Sequence, residues 1–303
     1  MSKKYTAVFG SHTTGLVIAL AAGVILGTAV VISRFAYEGG ASGLLIATIR
    51  MVIMCTAMAF AIKITRNSLA LPRKLIAGAI VNGTLMALMT YGNIGAVEFI
   101  SIGLTSLLFF TFPIIIAASV IALRIEKVRI QKLICVLVAF FGITIMLGSS
   151  LGNADLRGVV LALMAAIATA INAILIARHF RQINVFVATF HFSIYGFFVL
   201  LILGLVLGGL SYPTTFSGWV GTIGVGVLQT IGTPMYLFAI SKIGALKAGM
   251  ATNIQPVAAI TEAWFIFGEI LSLGQAFGGL TVLLAIAVMQ WSDLRKEKLI
   301  SPT

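Results

Sequence analysis

The sequence predicts an all-α membrane protein of ten transmembrane helices, arranged as two inverted five-helix repeats. Three observations support this prediction: long apolar segments, an internal repeat at a constant offset, and basic residues concentrated in alternate connections. The 303 residues are 60% hydrophobic and only 9% charged, whereas a soluble domain carries roughly 25% charged residues. Because so few charged residues cannot cover a water-exposed surface, we expect the bilayer to be the main solvent of this chain.

Ten apolar segments are each close to the ~20 residues that a helix needs to cross a bilayer. They run without the period-2 alternation of barrel strands, and short connections join them. The first follows Lys3 and Lys4, but it is too long for the apolar core of a signal peptide, so we interpret it as an uncleaved span. The predicted spans are residues 14–33, 43–62, 74–92, 101–123, 131–149, 157–177, 186–208, 217–239, 246–267 and 272–291.

An offset of 143 residues relates the first half of the chain to the second. Pro113 and Glu126 lie 13 residues apart, and so do Pro256 and Glu269. A gap-free offset indicates an internal duplication, so we predict that residues 1–149 form the first repeat and 150–303 the second, within one membrane domain. The same offset pairs Gly15 with Gly158, Gly78 with Gly221, Gly83 with Gly226, Thr90 with Thr233 and Met146 with Met289.

The distribution of basic residues predicts the orientation of the spans. The two termini and the even-numbered connections hold 17 of the 20 Lys and Arg residues, whereas Arg34 and Arg157 lie on the other side and Arg50 inside a span. The positive-inside rule therefore places both termini in the cytoplasm, with the chain in the cytoplasmic (inner) membrane. Repeats with an odd number of spans must lie in opposite orientations. Inverted repeats are typical of secondary transporters, whose substrate site lies near mid-membrane.

Composition also bears on the class of function. A net charge of +12 would favour nucleic acid as the partner of a soluble protein, but here we interpret the basic residues as loop charges that contact membrane lipids. The sequence has no phosphate-binding P-loop and no His/Cys/Asp cluster for a metal. We therefore expect a small-molecule substrate, no cofactor, no metal site, no catalytic residues and no enzyme activity. The oligomeric state is left open.

The two repeats, with their matched residues, resemble the ten-helix drug/metabolite transporter superfamily in its EamA-type branch. The matching residues are Arg50 in the second helix, Pro113 with Glu126 before the fifth helix, and Pro256 with Glu269 before the tenth. The resemblance covers residues 15–291 and implies a secondary transporter. Overall likeness within the superfamily is greatest to the aromatic amino-acid exporters, which implies export of neutral, aromatic amino acids or related small metabolites.

Two departures from the family pattern are visible in the sequence. Ser193 stands where the second repeat would have a counterpart of Arg50. The basic residues Lys127 and Arg129 follow Glu126, where the family more often has a small apolar or polar turn. The match therefore indicates the superfamily rather than the substrate, and other exported drugs or metabolites remain the alternative.

Charged side chains inside apolar spans are costly unless paired, so each is a candidate for function. Glu262 on the ninth helix is either a proton-coupling carboxylate, a partner for a substrate ammonium group, or a structural partner of Arg50, which lies at similar depth on the second helix. Arg50 either binds a substrate carboxylate in a bidentate manner or serves as a gate or packing residue. We expect Arg34 and Glu38 to form a solvated outer rim.

Two prolines interrupt the fourth and ninth predicted helices. Pro113 and Pro256 cannot donate to the carbonyls of Phe109 and Thr252, and such freed carbonyls either form a polar binding spot or mark kinks that serve shape alone. With other mid-span polar residues they give the predicted substrate-binding set of Asn82, Tyr91, Gln229, Tyr236, Asn253 and Gln255.

Other polar and aromatic residues are weaker candidates. His191 either shuttles a proton or is hydrogen-bonded within the bundle, and Asn172 has the same structural alternative. The predicted mechanism is alternating access, in which helices one to four and six to nine rock around a central cavity while the fifth and tenth brace the outside. A membrane-embedded sensor without turnover and a non-selective pore are the rival functions.

Overall fold

The computed structural model is all-helical over the residues that it describes. These are 2–96, 99–100, 102–124, 129–147, 155–268 and 272–300; side chains are described between residues 13 and 289, without 94, 102, 103, 146, 147 and 207. Glu126 and Glu269 of the repeat signature lie outside the described residues. The helices are α1 Ser2–Glu38, α2 Gly43–Ile64, α3 Arg73–Ala96, α4 Ile102–Phe109, α5 Phe112–Ala122, α6 Ile130–Leu147, α7 Leu156–Leu175 with a π-helical turn Ile176–Phe180, α8 Val185–Leu207, α9 Phe216–Ile243, α10 Ala245–Ala251, α11 Ile254–Phe267 and α12 Leu273–Ile300.

Seven helical segments in the described part of the chain are long and apolar enough to cross a membrane, so this is a multi-pass membrane protein. Two further apolar helices, Ile130–Ile145 and Leu273–Met289, are shorter, and α10 and α11 are shorter still. The prediction of a helical membrane protein is confirmed, whereas ten spans stay a prediction. The seven segments are Thr13–Glu38, Gly43–Ile64, Arg73–Asn93, Leu104–Ala122, Leu156–Phe180, Val185–Val206 and Phe216–Ile243.

Several helices extend beyond their predicted ends. The first continues past residue 33 to Glu38, where Arg34 Nε donates to the Glu38 carboxylate at 2.8 Å; such an i,i+4 pair stabilises a helix that hydropathy alone would end. The eighth predicted span, α9, runs four residues past 239 to Ile243. It ends where Gly244 adopts φ +83°, a conformation that favours glycine.

The fourth and ninth predicted helices are each interrupted near their centre. The first break separates α4 from α5 at residues 110–111, and the second separates α10 from α11 at residues 252–253. Pro113 and Pro256 lie just after the breaks, in the first turns of α5 and α11, where a missing backbone donor costs nothing because that N–H has no intrahelical acceptor. Hydropathy does not register such breaks, because the composition stays apolar across them.

Helix packing crosses between the two halves of the chain. α1 packs on α9 and α3 on α7; α2 packs on α8, and α6 on α12. Small residues permit these approaches: a Cβ added to Gly221 would lie 2.5 Å from Ala36 N, and one added to Gly92 would lie 2.6 Å from Leu161 O. Both halves of the first interrupted helix, α4 and α5, pack on α7, and both halves of the second, α10 and α11, pack on α1.

Candidate functional site

Six buried side-chain atoms in the described part of the chain have no hydrogen-bond partner. A buried polar atom without a partner costs roughly 1–3 kcal/mol, so a group of them needs an explanation and marks a candidate site. Four belong to residues that the sequence singles out, and two are threonines that it does not. The atoms are Arg50 Nε, Thr105 Oγ1, Thr230 Oγ1, the Tyr236 hydroxyl, Asn253 Oδ1 and Glu262 Oε2.

The half-helices α5 and α10 pack against each other, on the predicted cytoplasmic side of the breaks. Gly249 of α10 forms the closest part of this contact: a Cβ added there would lie 3.1 Å from Phe112 Cε2 and 3.2 Å from Ile116 Cδ1. The same Cβ would lie 3.7 Å from the Tyr236 hydroxyl. Tyr236 is thereby placed beside the crossing of the two interrupted helices.

Asn253 occupies the break between α10 and α11 and is only 1% exposed. Its Nδ2 lies 3.6 Å from Met250 Sδ, a weak acceptor, and its Oδ1 has no donor. The predicted free carbonyl of Thr252 is not observed, because it accepts from Gln255 N at 2.9 Å. The unused hydrogen-bonding capacity at this break therefore belongs to the Asn253 side chain rather than to the backbone.

The other two half-helices diverge. α11 packs on α1 and α12, whereas α4 packs on α7 and α6, and α4 and α11 share no extensive contact within the described residues. Pro256 is the one buried residue of α11, and Phe265 near its end is 72% exposed. The two interrupted helices are thus in contact on the predicted cytoplasmic side of their breaks and apart on the outer side.

Arg50 lies on α2 and is 6% exposed. Its Nη2 donates to Thr90 Oγ1 on α3 at 2.7 Å, and the Thr90 hydroxyl in turn donates to Met86 O at 2.8 Å. Neither of the two ion pairs that the described residues show includes Arg50; they join Arg34 to Glu38 and Arg157 to Asp155. The buried Arg50 guanidinium has five N–H donors, but only the Thr90 hydroxyl oxygen accepts from it, and Nε has no acceptor within the described residues.

Glu262 lies on α11, half-buried against α1. Its Oε1 accepts from Thr28 Oγ1 at 2.8 Å, while Oε2 is buried without a donor. The Thr28 hydroxyl also lies 3.1 Å from Val24 O, so one hydrogen serves two acceptors. The structural pair with Arg50 that the sequence left open is not formed, and both charges keep unused hydrogen-bonding atoms.

The remaining predicted residues divide into two groups. Asn82 is fully buried between α3 and α7, where its Nδ2 donates to Gly78 O at 2.7 Å and its Oδ1 accepts from Asn172 Nδ2 at 3.1 Å. The Asn82 side chain is therefore satisfied by its own helix and by Asn172. Tyr91, Gln229 and Gln255 are half-buried.

The other polar candidates form local contacts. His191 Nδ1 lies 2.9 Å from Val187 O on the same helix, which matches the structural alternative. The Arg34 guanidinium stacks on the Phe267 ring at 4.5 Å, so the outer ends of α1 and α11 are joined by a cation–π contact. Sequence reasoning missed Thr28, Thr90, Thr105 and Thr230, because a threonine in a helix usually bonds to its own backbone.

Two surface cavities are formed away from the breaks. One of about 600 Å³ lies at the end of α2, lined by Lys63, Arg66 and Asn67, and one of about 260 Å³ lies between α3 and α7, lined by Asn82 and His179. No group of three or more His, Cys, Asp or Glu side chains lies together among the described residues. The candidate site is therefore the set of unpartnered polar atoms, of which those of Thr105, Asn253 and Glu262 belong to the two interrupted helices.

Comparisons with known proteins point to a transporter family. Residues 156–291 match the model of the EamA-like transporter family. A relative from Bacillus subtilis (strain 168), named as the uncharacterized transporter YoaV, is 24% identical over 264 residues, which cover 84% of this chain and 89% of that protein. A solved structure described only as the crystal structure of a protein has a TM-score of 0.78 at 15% identity, covering 90% of this chain and 96% of that one. The second half of this chain is thus similar to an EamA-like transporter domain, and 90% of the chain shares its fold with a solved structure.

Proposed function

We propose that this protein is a secondary transporter that exports neutral, aromatic amino acids or related small metabolites by alternating access. The observation that supports this most is the pair of interrupted helices at the centre of an apolar bundle, surrounded by buried polar atoms without partners. Irregular backbone at membrane depth is tolerated where it is buried in protein or lines a cavity, and transporters use it to bind substrate. The match to the EamA-like transporter family supports the same class.

The proposed architecture is ten spans in two inverted repeats, with both termini in the cytoplasm. The offset of 143 residues makes α7, α8 and α9 the counterparts of α1, α2 and α3. When each helix is replaced by its counterpart, the α1–α9 contact becomes the α7–α3 contact, and the α2–α9 contact becomes the α8–α3 contact; all four are observed. The α2–α8 and α6–α12 pairs map onto themselves under the same exchange. A pattern of contacts that is preserved in this way is expected of inverted repeats, and α6 and α12 would brace the moving parts from the outside.

The proposed substrate site lies between the two breaks. Asn253 and Tyr236 supply unpartnered polar atoms, and the rings of Phe109, Phe110 and Phe112, with centroids 5.4–6.3 Å apart, supply an aromatic wall beside the α4/α5 break. Aromatic faces of this kind stack on a phenyl or indole ring. Arg50 and Glu262 are the proposed coupling or gate residues, since Arg50 is a charged group within the span Gly43–Ile64 and Glu262 one within α11, in the predicted ninth span.

Solute counterflow tests this function. Purified protein is reconstituted in liposomes preloaded with unlabelled phenylalanine, and uptake of labelled phenylalanine is followed with and without a pH gradient. Saturable uptake above empty liposomes is expected for the wild type, falling at least tenfold in Asn253→Ala. Thr56→Ala serves as the matched control, because Thr56 is exposed on α2 and bonds only to its own helix.

The rival functions give different results in the same assay. A pore would show uptake without stimulation by the internal substrate, and a sensor would show no uptake. If a pH gradient accelerates wild-type uptake but not uptake by Glu262→Gln, Glu262 is the coupling residue. Unchanged transport in Asn253→Ala would overturn the proposed site, and absence of phenylalanine uptake would overturn the substrate class.

A further inference from the structure

The cavity of about 600 Å³ at the end of α2 combines two cationic side chains with apolar walls. Lys63 and Arg66 line it together with Phe60 and Leu69, whose side chains are 66% and 48% exposed. None of its seven lining residues is acidic, and the other three are Ala59, Ile62 and Asn67. A cavity of this composition complements a molecule that has both a negative charge and an apolar part.

The two cations of this cavity have no opposing charge nearby in the chain. The sequence has no Asp or Glu between Glu38 and Glu98, and neither of the ion pairs in the described part of the chain includes Lys63 or Arg66. Basic residues at the end of a membrane span are often simply solvated. Solvation alone, however, gives no reason for a cavity whose remaining walls are mostly apolar.

The last turn of α2 fixes the position of Arg66. Asn67 N donates to Ile62 O at 3.1 Å and Arg66 N donates to Lys63 O at 3.2 Å, the bond pattern of a Schellman motif. Glycine is the usual residue at the position of Arg66 in this motif, because φ is positive there, and Arg66 has φ +53°. The Asn67 side chain also donates to Thr65 Oγ1 at 2.9 Å. A cationic side chain is thus held at the cavity by a backbone that would suit glycine better.

The charged and apolar walls of the cavity lie at different depths. The span Gly43–Ile64 ends one residue after Lys63, so the cations lie at the level of the lipid headgroups. Phe60 precedes Arg66 by six residues, which is about 9 Å along a helix axis. That distance is similar to the roughly 5–8 Å thickness of one headgroup layer. The Phe60 ring therefore lies at the level where acyl chains begin.

From these observations we propose that the cavity binds one anionic phospholipid, with its phosphate between Lys63 and Arg66 and its acyl chains along Phe60 and Leu69. A guanidinium offers paired donors that match a phosphate, and an ammonium group adds a point charge. The predicted orientation places this end of α2 in the cytoplasmic leaflet, which contains anionic lipids that basic pockets can bind. The proposal uses that orientation and assumes nothing about the transported substrate.

Lipid selectivity in detergent tests the proposal. The purified protein is mixed with phosphatidylglycerol or phosphatidylcholine of identical acyl chains, and native mass spectrometry counts the bound lipids. The wild type should bind its first phosphatidylglycerol at least tenfold more tightly than phosphatidylcholine, and the double variant Lys63→Gln/Arg66→Gln should reduce this preference to within twofold. Arg124→Gln/Arg129→Gln is the matched control and should keep the preference. It also removes two exposed charges on the predicted cytoplasmic side, one of them at positive φ, but neither residue lines this cavity.

Further arms locate the lipid and exclude a soluble occupant. A photoreactive phosphatidylglycerol should crosslink mainly within residues 59–69, and millimolar glycerol phosphate, which is a headgroup without acyl chains, should not displace it. If the double variant does not fold, Arg66→Gly replaces it, because glycine suits the observed backbone, and should lower the preference several-fold.

Three results would overturn the proposal. Equal loss of preference in both double variants, or crosslinks spread over several basic helix ends, would show only a general attraction of basic loops to anionic lipid. An unchanged preference in Lys63→Gln/Arg66→Gln would show that these cations do not hold the lipid. Displacement by glycerol phosphate would make a soluble phosphate compound the occupant instead.

Discussion

The two interrupted helices are packed differently on the two sides of their breaks. On the predicted cytoplasmic side, α10 is buried and packs on α5, with Gly249 against Phe112 and Ile116. On the outer side, α11 has Pro256 as its one buried residue and has no extensive contact with α4 in the described part of the chain. In the proposed repeat α11 is the counterpart of α5, and α10 is the counterpart of α4. The α5–α10 pair and the α4–α11 pair are therefore equivalent, yet within the described residues the first is in extensive contact and the second is not.

This difference identifies a position in the proposed transport cycle. In the proposed alternating-access cycle one pair of half-helices closes while the other opens, so this pattern of contacts would correspond to an outward-facing state. The inner contact would then be a gate.

The largest effect is expected from Gly249→Leu at the inner contact. A Cβ alone would lie 3.1 Å from Phe112 and 3.2 Å from Ile116, so a larger side chain forces α5 and α10 apart. Overpacking costs roughly 1–3 kcal/mol, which would shift the balance of states by about 5–150-fold. Counterflow should fall more than tenfold while the protein still elutes as a folded species in gel filtration.

Gly204→Leu is the matched control for that change. A Cβ there would lie 3.6 Å or more from the Leu210 side chain, an ordinary contact, so transport should stay within twofold of the wild type. Equal loss in the two variants would mean that bulk on any helix surface impairs transport. The inner contact would then not be a gate.

Tyr236→Phe should affect substrate affinity more than stability. The Tyr236 hydroxyl is buried beside the inner contact without a partner, so its removal should leave the free energy of unfolding unchanged or raise it by up to about 1 kcal/mol. Loss of one hydrogen bond to substrate, worth about 1.4 kcal/mol, should raise KM about tenfold. Counterflow gives KM, and thermal unfolding in detergent gives the stability.

Tyr212→Phe controls for the loss of a tyrosine hydroxyl, because Tyr212 is exposed in the connection before α9. It should leave both measurements unchanged. If Tyr236→Phe leaves KM unchanged but lowers stability, the hydroxyl has a structural partner in another state and is not a substrate ligand.

The sequence predicts the charged members of the proposed site but not the residues to which they bond. Arg50 and Glu262 are recognisable because a charge inside an apolar span is costly. Thr90 and Thr28, which hold them, lie 40 and 234 residues away in the chain, and no local pattern distinguishes them from threonines that bond to their own helix. The repeat offset located both helix breaks, although each break begins before its proline rather than at it.

Asn82 shows the limit of the same reasoning. A mid-span amide looks alike in sequence whether it binds substrate or a partner helix, and here Asn82 bonds to Asn172 on α7 beside the 260 Å³ cavity between α3 and α7. Only packing separates the two cases, because the donor lies 90 residues away. The half-buried Gln229 and Gln255 remain predicted cavity residues.

Asn172→Ala should therefore lower stability without changing KM. It removes the two hydrogen bonds of 3.1 Å that join α7 to Asn82, and interhelical hydrogen bonds in membranes contribute about 0.6–2 kcal/mol. Thermal unfolding and counterflow on the same preparation check this. A raised KM with unchanged stability would instead make the Asn82–Asn172 pair part of the substrate path.

The smallest effect on transport is expected at the outer loops. Ser42 Oγ accepts from Leu45 N at 3.3 Å as the N-cap of α2 and from Ser211 N at 3.1 Å, so it ties the α1–α2 loop to the α8–α9 loop. Ser42→Ala should cost about 1 kcal/mol of stability, typical of a lost N-cap, and Ser42→Thr should restore it.

Transport by Ser42→Ala should stay within twofold of the wild type, because the backbone bonds Ser42 N to Ser211 O and Thr214 N to Gly39 O still join the two loops. These loops connect α1 to α2 and α8 to α9, and none of these four helices is interrupted. We therefore expect the two bonded loops to move together when α4 and α11 approach each other. A several-fold change in transport rate would place the outer gate in these loops instead of between the half-helices, and the contrast between the α5–α10 and α4–α11 pairs would no longer explain access to the site.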